Sequence, residues 1–420
     1  MDTPAHNVNS PTESPMPEAV PRKLSVLVLD EEIPFPLNSG KRIRTWNLLS
    51  RLANGHDITF LCYGTRHDPG LAPLRNLGIR VVQVSPLVPS NSVGFYAGAL
   101  GNLFSAWPYS VSRHHTARFA RAISRMSAEK HYDLLHCEWT PYASYAGSAS
   151  DLPMLVMAHN IEATVWRRRA EHGANALERF YMRMQAAKME RFERRSFSLA
   201  VGVATVSAEE QRTAETWGAR ATYLVSNGVD THVLQPVADA ADSNSLLFLG
   251  SLDWQPNRDA LLYFVREILP KIRSANPQAK LRVVGRQPAA KLRAQVIDVS
   301  GIEWVGEVPD ISPYFSHAGV VVVPLRIGGG SRIKILESMS MGKAVVTTTV
   351  GAEGLSVVSG KNCLIADTPQ EFANCVCWLL DDPGQAAILG RNGRKLVVER
   401  YDWSRMAQEL GRAWTETASK

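Results

Sequence analysis

Val320-Val-Val-Val-Pro-Leu-Arg-Ile-Gly-Gly-Gly-Ser-Arg-Ile-Lys-Ile-Leu-Glu-Ser-Met-Ser-Met-Gly342 is the stretch whose pattern decides the fold. Four consecutive valines suit a buried strand and are far too short to span a bilayer. Three glycines follow, and a helix is predicted from about Ser331. Glycines let a backbone come close to a ligand because no side chain stands in the way. A helix start offers unpaired N–H groups and the positive end of the dipole, which suits phosphate. Arg332 and Lys334 place mobile positive charge beside it. Each charge-assisted hydrogen bond from them contributes about 1.5–3 kcal/mol. Glu337 lies about a turn and a half into the helix, where a carboxylate repels phosphate. Spacing leaves two readings of it open: an acceptor for both ribose hydroxyls, or an i, i+3 salt bridge with Lys334.

Outward from this stretch, strands and helices alternate. Leu24 to Leu29 is a compact strand, followed by the loop Pro34 to Gly40. A helix with Thr45, Leu48, Leu49 and Leu52 on one apolar face comes next, ended by Asn54-Gly55. Further strands are expected at Ile58–Cys62, Val81–Val84, Leu134–Cys137, Met154–Ala158 and Val201–Val206. Residues 236 to 244 are small and polar and read as a linker. The pattern then restarts with Leu246–Leu249, a helix on Leu261, Phe264, Val265 and Ile268 stopping near Pro270 or Pro277, and strands at Leu281–Val284, Trp304–Val305, Val320–Val323 and Ala344–Thr347. The expected fold is α/β, with two Rossmann-like domains facing across a cleft. Ligands on such sheets bind outside the carboxyl ends of the strands, so the cleft is the expected site.

The chain has 420 residues, too many for a single core, so two domains are the natural division. Hydrophobic residues make up 45% and charged residues 20%, which excludes disorder as a description of the whole chain. The formal charge of +6 fits an anionic small molecule, an acidic membrane surface or nucleic acid, and selects none of them. The five cysteines have neither disulfide nor zinc spacing, which fits a reducing compartment. Residues 1 to 21 lack the apolar segment of a signal peptide and read as a disordered tail. In the charged stretch from Arg167 to Arg195, Leu177, Phe180, Tyr181 and Met184 recur at helical spacing. A surface helix is favoured there over a membrane-facing one. The aromatic-rich segment 91 to 112 reads either as core or as part of an acceptor pocket touching lipid.

These residues also carry a resemblance. The quoted stretch resembles the donor-binding segment of retaining glycosyltransferases of family four, which have the two-Rossmann GT-B fold. Leu247-Phe-Leu-Gly-Ser-Leu-Asp-Trp-Gln-Pro-Asn-Arg-Asp-Ala260, Val283-Val-Gly-Arg286, Ser226-Asn-Gly-Val-Asp230 and Gly351-Ala-Glu-Gly-Leu355 resemble further parts of that family in the family's order. The likeness runs from residue 22 to the C-terminus and is strongest from 226 to 355. It implies a tail over 1–21, an N-terminal acceptor domain over 22–235 and a nucleotide-sugar domain over 236–400. A helix within 401–420 is expected to pack back on the first domain. The implied activity is transfer of a sugar from a nucleoside-diphosphate sugar to an acceptor hydroxyl with retention, in cell-surface polysaccharide or glycolipid synthesis. No cofactor or metal is implied, and no Asp-x-Asp motif suggests one. A cytoplasmic protein at the inner face of the membrane, with a lipid-linked acceptor and no nucleic-acid partner, follows from the same likeness.

The resemblance assigns roles residue by residue. Glu337 matches the second Glu of the family's paired-Glu motif and would hold the ribose. Arg332 and Lys334 would face the diphosphate, and Gly40 would approach it from the N-terminal domain. Ser331 and the N–H groups of Gly329 and Gly330 would complete the cradle. His159, delivered by the strand before it, matches a histidine beside the donor sugar, with Glu162 nearby and His136 and Glu138 as weaker candidates. Two departures stand out: the first Glu of the pair is replaced by Gly329, and the basic pair after the strand opening the second domain is absent from Gly250-Ser-Leu-Asp-Trp-Gln-Pro-Asn257. An epimerase of the same fold and an inactive nucleotide-binding scaffold are the competing readings, the missing Glu favouring the latter.

Overall fold

The computed structural model describes residues 22–65, 67–87, 98, 100–149, 151–171, 175–236, 242–286, 299, 301–327 and 332–420. Two parallel sheets organise them. The first has the order β3-β2-β1-β4-β5-β6-β7, with β1 at Ser25–Leu29, β2 at Asp57–Tyr63, β3 at Arg80–Val84, β4 at Leu134–Cys137, β5 at Met154–Ala158, β6 at Gly202–Thr205 and β7 at Thr222–Leu224. The second has the order β10-β9-β8-β11-β12-β13, with β8 at Asp242–Leu249, β9 at Lys280–Val284, β10 at Ile302–Gly306, β11 at Ala318–Val323, β12 at Ala344–Thr347 and β13 at Leu364–Ile365. The short outer strands β7 and β13 carry too little apolar sequence to be anticipated from periodicity.

Alternation along β1 shows why its run is unbroken. Val26 and Val28 face one apolar layer, and Leu27 and Leu29 face the other. A parallel strand covered on both sides needs apolar residues on both faces. Helix Gly40–Leu52 covers the first face together with the C-terminal helix Trp403–Ala418, whose Trp403, Leu410 and Trp414 join the same core. The last helix of the chain therefore completes the core of the first domain.

The crossing point is built from the Ser226–Asp230 motif. Val229 N–H donates to the Tyr401 carbonyl, and Trp403 N–H donates back to the Val229 carbonyl. Asp402 caps the helix and accepts from the Thr231 hydroxyl at 2.6 Å. Arg44 donates to the carbonyls of Val225 and Ser226. A Cβ on Gly228 would stand 2.8 Å from both the Trp403 ring and the Tyr401 carbonyl, so the motif's glycine serves the crossing.

Several expectations need correction. Residues 242–244 of the expected linker belong to β8, where Asp242 pairs with Ala318, while 237–241 lie outside the described residues. Of the two stops left open for the helix from Gln255, the one near Pro277 is found and Pro270 is passed. A π-turn over Phe264–Ile268 lets it pass the proline, and it ends at Ala275. Gly40 opens a helix rather than closing a loop, with Ser39 as its cap. In helix Ala176–Leu199 the buried positions are Gln185, Ala186, Lys188, Met189, Glu193, Ser196 and Phe197, whereas Leu177 and Phe180 stand exposed. The part of segment 91–112 that is described is not simple core, since Leu100, Leu103 and Phe104 are exposed. No helix among the described residues is long and apolar enough to cross a membrane.

The crossing makes one prediction. Gly228→Ala forces its methyl against Trp403 and a backbone carbonyl and costs about 1–3 kcal/mol of stability. Urea unfolding of the variant shows this as a lowered midpoint; an unchanged midpoint refutes the tight crossing.

Candidate functional site

The carboxyl end of β8 runs into Gly250, and that of β9 into Gly285. A Cβ on Gly285 would lie 2.0 Å from the Gly250 carbonyl oxygen, so the two turns press together and only glycine fits. A Cβ on Gly250 would stand 2.9 Å from Lys334 Nζ. That ammonium donates to Asn257 Oδ1 at 2.7 Å, while Asn257 Nδ2 donates to the Ser251 carbonyl at 2.8 Å. The site of the absent basic pair is thus occupied by the ammonium of Lys334, reaching in from helix Ile333–Ser340. Burial, with the charge of Arg332, pushes Lys334 down to about 7. Burial pushes Glu337 up to about 7 against the opposing charge of Lys334. Both groups are only half-buried. Lys334 takes Asn257 as its hydrogen-bond partner, so the i, i+3 salt bridge left open by the spacing is not the pairing formed. The helix begins at Ile333, two residues later than expected, and Gly329, Gly330 and Ser331 lie outside the described residues.

Arg332 points elsewhere. Its Nη2 donates to the Val350 carbonyl at 2.7 Å and pairs with Glu353 at 3.2 Å. Glu353 also takes a bidentate pair from Arg168, at 3.0 and 2.5 Å, on helix Glu162–Glu171 of the other domain. One carboxylate between two guanidiniums bridges the cleft. These three residues, with Asn160, Asn227, Glu209 and Glu210, help line a pocket of about 100 Å³. On the opposite side, Arg286 donates to the Asn38 carbonyl at 3.2 Å, bringing the end of β9 against the segment just before Gly40.

The N-terminal wall gathers at the ends of β1, β4 and β5. Trp414 Nε1 donates to His136 Nδ1 at 3.2 Å, which leaves His136 Nε2–H to donate to Glu138 Oε2 at 2.6 Å. The Thr45 hydroxyl donates to the other carboxylate oxygen at 2.9 Å. Burial alone would raise Glu138, but the bond from His136 and the charge of the buried Arg44 hold it down at about 2. His159 follows β5, and its Nε2 lies 3.5 Å from Glu138 Oε1 without an aligned hydrogen bond. Burial pushes this imidazole down to about 3, so it is neutral at physiological pH. Glu162 accepts from Trp139 Nε1 at 3.0 Å, and its N–H is held by Glu193 from the neighbouring helix.

A second group lies beside these. Lys41 bridges Asp30 and Glu31 at 2.6 and 2.9 Å and stands 5.6 Å over the Trp139 ring. Against its burial, the two carboxylates keep this ammonium charged well above the usual lysine range. His114 Nε2 reaches Glu31 at 3.5 Å. Sequence reading passed over Asp30, Glu31, Lys41 and Asn257 and underrated Glu138. The run Asp30-Glu-Glu32 directly after a predicted parallel strand was the available signal, because such strand ends carry function. Among the described residues no three His, Cys, Asp or Glu side chains could share a metal ion.

Comparison with known proteins bears on this geometry. The family model "Glycosyltransferase Family 4" matches residues 39–233, and "Glycosyl transferases group 1" matches residues 243–382. The chain is 20% identical over 391 residues to an uncharacterized 44.6 kDa protein in the cps region of Klebsiella pneumoniae, covering 90% of this chain and 96% of that one. It is 28% identical over 205 residues to the phosphatidyl-myo-inositol mannosyltransferase of Mycolicibacterium smegmatis, covering 46% of this chain and 52% of the relative. That match spans about half of the mannosyltransferase. In fold it is similar to Anabaena HepE, solved with UDP and glucose, at a TM-score of 0.65 and 16% identity, covering 93% of this chain and 99% of HepE.

The wall around His159 makes a prediction of its own. With its pKa depressed by burial, the imidazole stays unprotonated from pH 8 down to about 4. Its NMR ring resonances should not move between pH 8 and 5. A titration midpoint in that window contradicts the buried placement.

Proposed function

Because this chain belongs to the family four glycosyltransferases, which fold as two facing Rossmann-like domains, we propose that its cleft moves a sugar from a nucleoside-diphosphate donor to an acceptor hydroxyl with retention. The product belongs to cell-surface glycolipid or polysaccharide synthesis. The observation that carries the reading is the Lys334 ammonium at the paired glycine corners, with Glu337 one turn further along the same helix. In this reading Lys334 takes the diphosphate, and Glu337 accepts the ribose hydroxyls. Gly40 approaches from the N-terminal domain, and Gly329, Gly330 and Ser331 supply backbone N–H groups.

Breaking the bond from the anomeric carbon to the diphosphate concentrates negative charge on the leaving group. Lys334 and the helix start stabilise that charge most where it is largest, in the transition state. Arg332, held by Glu353, adds to the positive field without needing to leave its partner. In this reading His159, neutral and with its ring 12% exposed, offers one hydrogen bond to a sugar hydroxyl. The acceptor hydroxyl attacks from the face the leaving group departs, so no protein nucleophile is assigned. The UDP and glucose seen with HepE support a nucleotide-sugar donor, and the mannosyltransferase likeness supports a lipid-linked acceptor at the inner membrane face. No observation favours the epimerase reading.

The affinity for UDP or GDP, measured by calorimetry, should fall about ten- to hundredfold in Lys334→Ala, the loss of one charge-assisted bond of about 1.5–3 kcal/mol. An unchanged affinity removes the site. The pH dependence is also defined. Lys334, near 7 when empty, must gain a proton to bind diphosphate above neutrality, so affinity falls by up to about tenfold per pH unit on the alkaline side. Glu337, also near 7, must lose a proton to accept from ribose, so affinity falls again below neutrality. Binding therefore peaks near pH 7, and Lys334→Arg flattens only the alkaline limb. A pH-independent affinity from 6 to 9 contradicts the assignment.

A further inference from the structure

A chain of hydrogen bonds runs from the last helix of the protein to the wall of the cleft. It starts at the fully buried Trp414, whose indole N–H can only donate. That N–H meets His136 Nδ1 at 3.2 Å, so Nδ1 carries no proton of its own, and Nε2–H points at Glu138 Oε2, 2.6 Å away. Both His136 and Glu138 are buried at the carboxyl end of β4, which lies next to β5 in the sheet. The other carboxylate oxygen, Oε1, accepts from the Thr45 hydroxyl on the first helix at 2.9 Å. Bonds from two directions fix how the carboxylate is turned. A carboxylate oxygen has two lone pairs, so Oε1 keeps one to spare beside Thr45.

His159, just past the end of β5, stands beside this oxygen, with its Nε2 3.5 Å from Oε1. Nε2 is buried and has no aligned hydrogen bond among the described residues. The contact is electrostatic, and in an interior of low dielectric it still decides where the ring's proton sits. With the proton on Nε2, an N–H faces the anion. With the proton on Nδ1, a buried lone pair would face the anion, which is repulsive and leaves both atoms unsatisfied. Burial opposes a second proton on the ring, and the charges of Arg44 and Lys41 add to it; the Glu138 carboxylate and main chain pull the other way. The ring therefore holds one proton, on Nε2, and its lone pair is on Nδ1. Because Nε2 is buried, the 12% of the ring that is exposed lies away from it.

We propose that Glu138 is the positioning residue of His159: its carboxylate, oriented through His136 by Trp414 of the last helix, keeps the ring's proton on Nε2 and leaves Nδ1 to accept a hydrogen bond from a hydroxyl of the donor sugar. This rests on the glycosyl-transfer reading above and fixes the sense of the sugar contact, in which the ring accepts and the hydroxyl donates. An acceptor at this point selects a substituent that carries a proton. A hydroxyl qualifies, whereas a deoxy carbon, an ether oxygen or a fluorine leaves Nδ1 without a donor. Trp414 thus bears on the sugar through three side chains, although it touches neither the nucleotide corner nor His159 itself.

The test is the protonation pattern of the His159 ring in the full chain, read from long-range proton–nitrogen spectra and assigned with His159→Asn. Empty wild type should show a protonated Nε2 and a bare Nδ1. Glu138→Gln keeps the shape of the side chain and exchanges one oxygen for an NH2 group. His136, its Nδ1 still taken by Trp414, goes on donating from Nε2, so the amide must turn its oxygen to His136 and its NH2 toward Thr45 and His159. The Thr45 hydroxyl can accept from that group. His159 accepts from it only through a bare Nε2, so the ring's proton should move to Nδ1. In wild type, adding UDP-glucose or GDP-mannose should shift the Nδ1 resonance, and UDP or GDP alone should not. Calorimetry of wild type with UDP and GDP keeps the two readings apart. Failure to bind either nucleotide sinks the donor reading alone, because the ring's pattern is read in the empty protein. The positioning proposal is overturned by a wild-type His159 protonated on Nδ1 or by a folded Glu138→Gln in which the proton stays on Nε2. It is also overturned by an Nδ1 resonance that ignores both nucleotide sugars while UDP or GDP binds. Where Glu138→Gln does not fold, the wild-type pattern alone decides.

Discussion

Two parallel sheets present their carboxyl ends to one cleft, and at the second of these ends an ammonium group is forced into close quarters. Lys334 Nζ stands where no side chain on Gly250 could fit, and its hydrogen-bond partner is the neutral oxygen of Asn257 rather than a carboxylate. Burial disfavours the charge, which is why the group sits near neutrality in its readiness to lose a proton. An incoming dianion relieves that cost. The empty site is therefore strained toward binding phosphate, and the glycine corners supply the space for it to enter.

The rest of the molecule serves to hold this geometry. The C-terminal helix completes the first domain's core, and its Trp414 fixes the tautomer of His136. His136 in turn holds Glu138 as an anion beside His159. The Arg168–Glu353–Arg332 cluster ties the domains together on one side of the cleft, and Arg286 reaches Asn38 on the other. These links span long separations in sequence, so the two walls of the cleft meet only once both domains and the final helix are in place, while the Lys334 corner is built within the second domain.

The alternation of strands and helices was legible in the sequence because fully buried parallel strands leave unbroken apolar runs, as in Val320–Val323. Periodicity left Pro270 and Pro277 open as the stop of the helix from Gln255, because a π-turn lets a helix absorb a proline and nothing local announces one; the helix passes Pro270 and ends at Ala275, before Pro277. Lys334 and Glu337 could be singled out from their helix. That Lys334 turns to Asn257, and Arg332 to a carboxylate on a distant segment, depends on packing between elements that periodicity does not report. Glu138 was underrated for the same reason. Its three partners come from the first helix, its own strand and the loop after β5. The Gly228 motif shows the converse: a likeness of sequence pointed to it, and the structure explains it by the Trp403 ring rather than by a ligand.

A crystal structure of the protein with UDP or GDP bound tests the central claim most directly. The account predicts the diphosphate within hydrogen-bonding distance of Lys334 Nζ at the Gly250 corner and the ribose hydroxyls on the Glu337 carboxylate. A nucleotide bound elsewhere, with Lys334 still held by Asn257 and Glu337 free of contact, would contradict it.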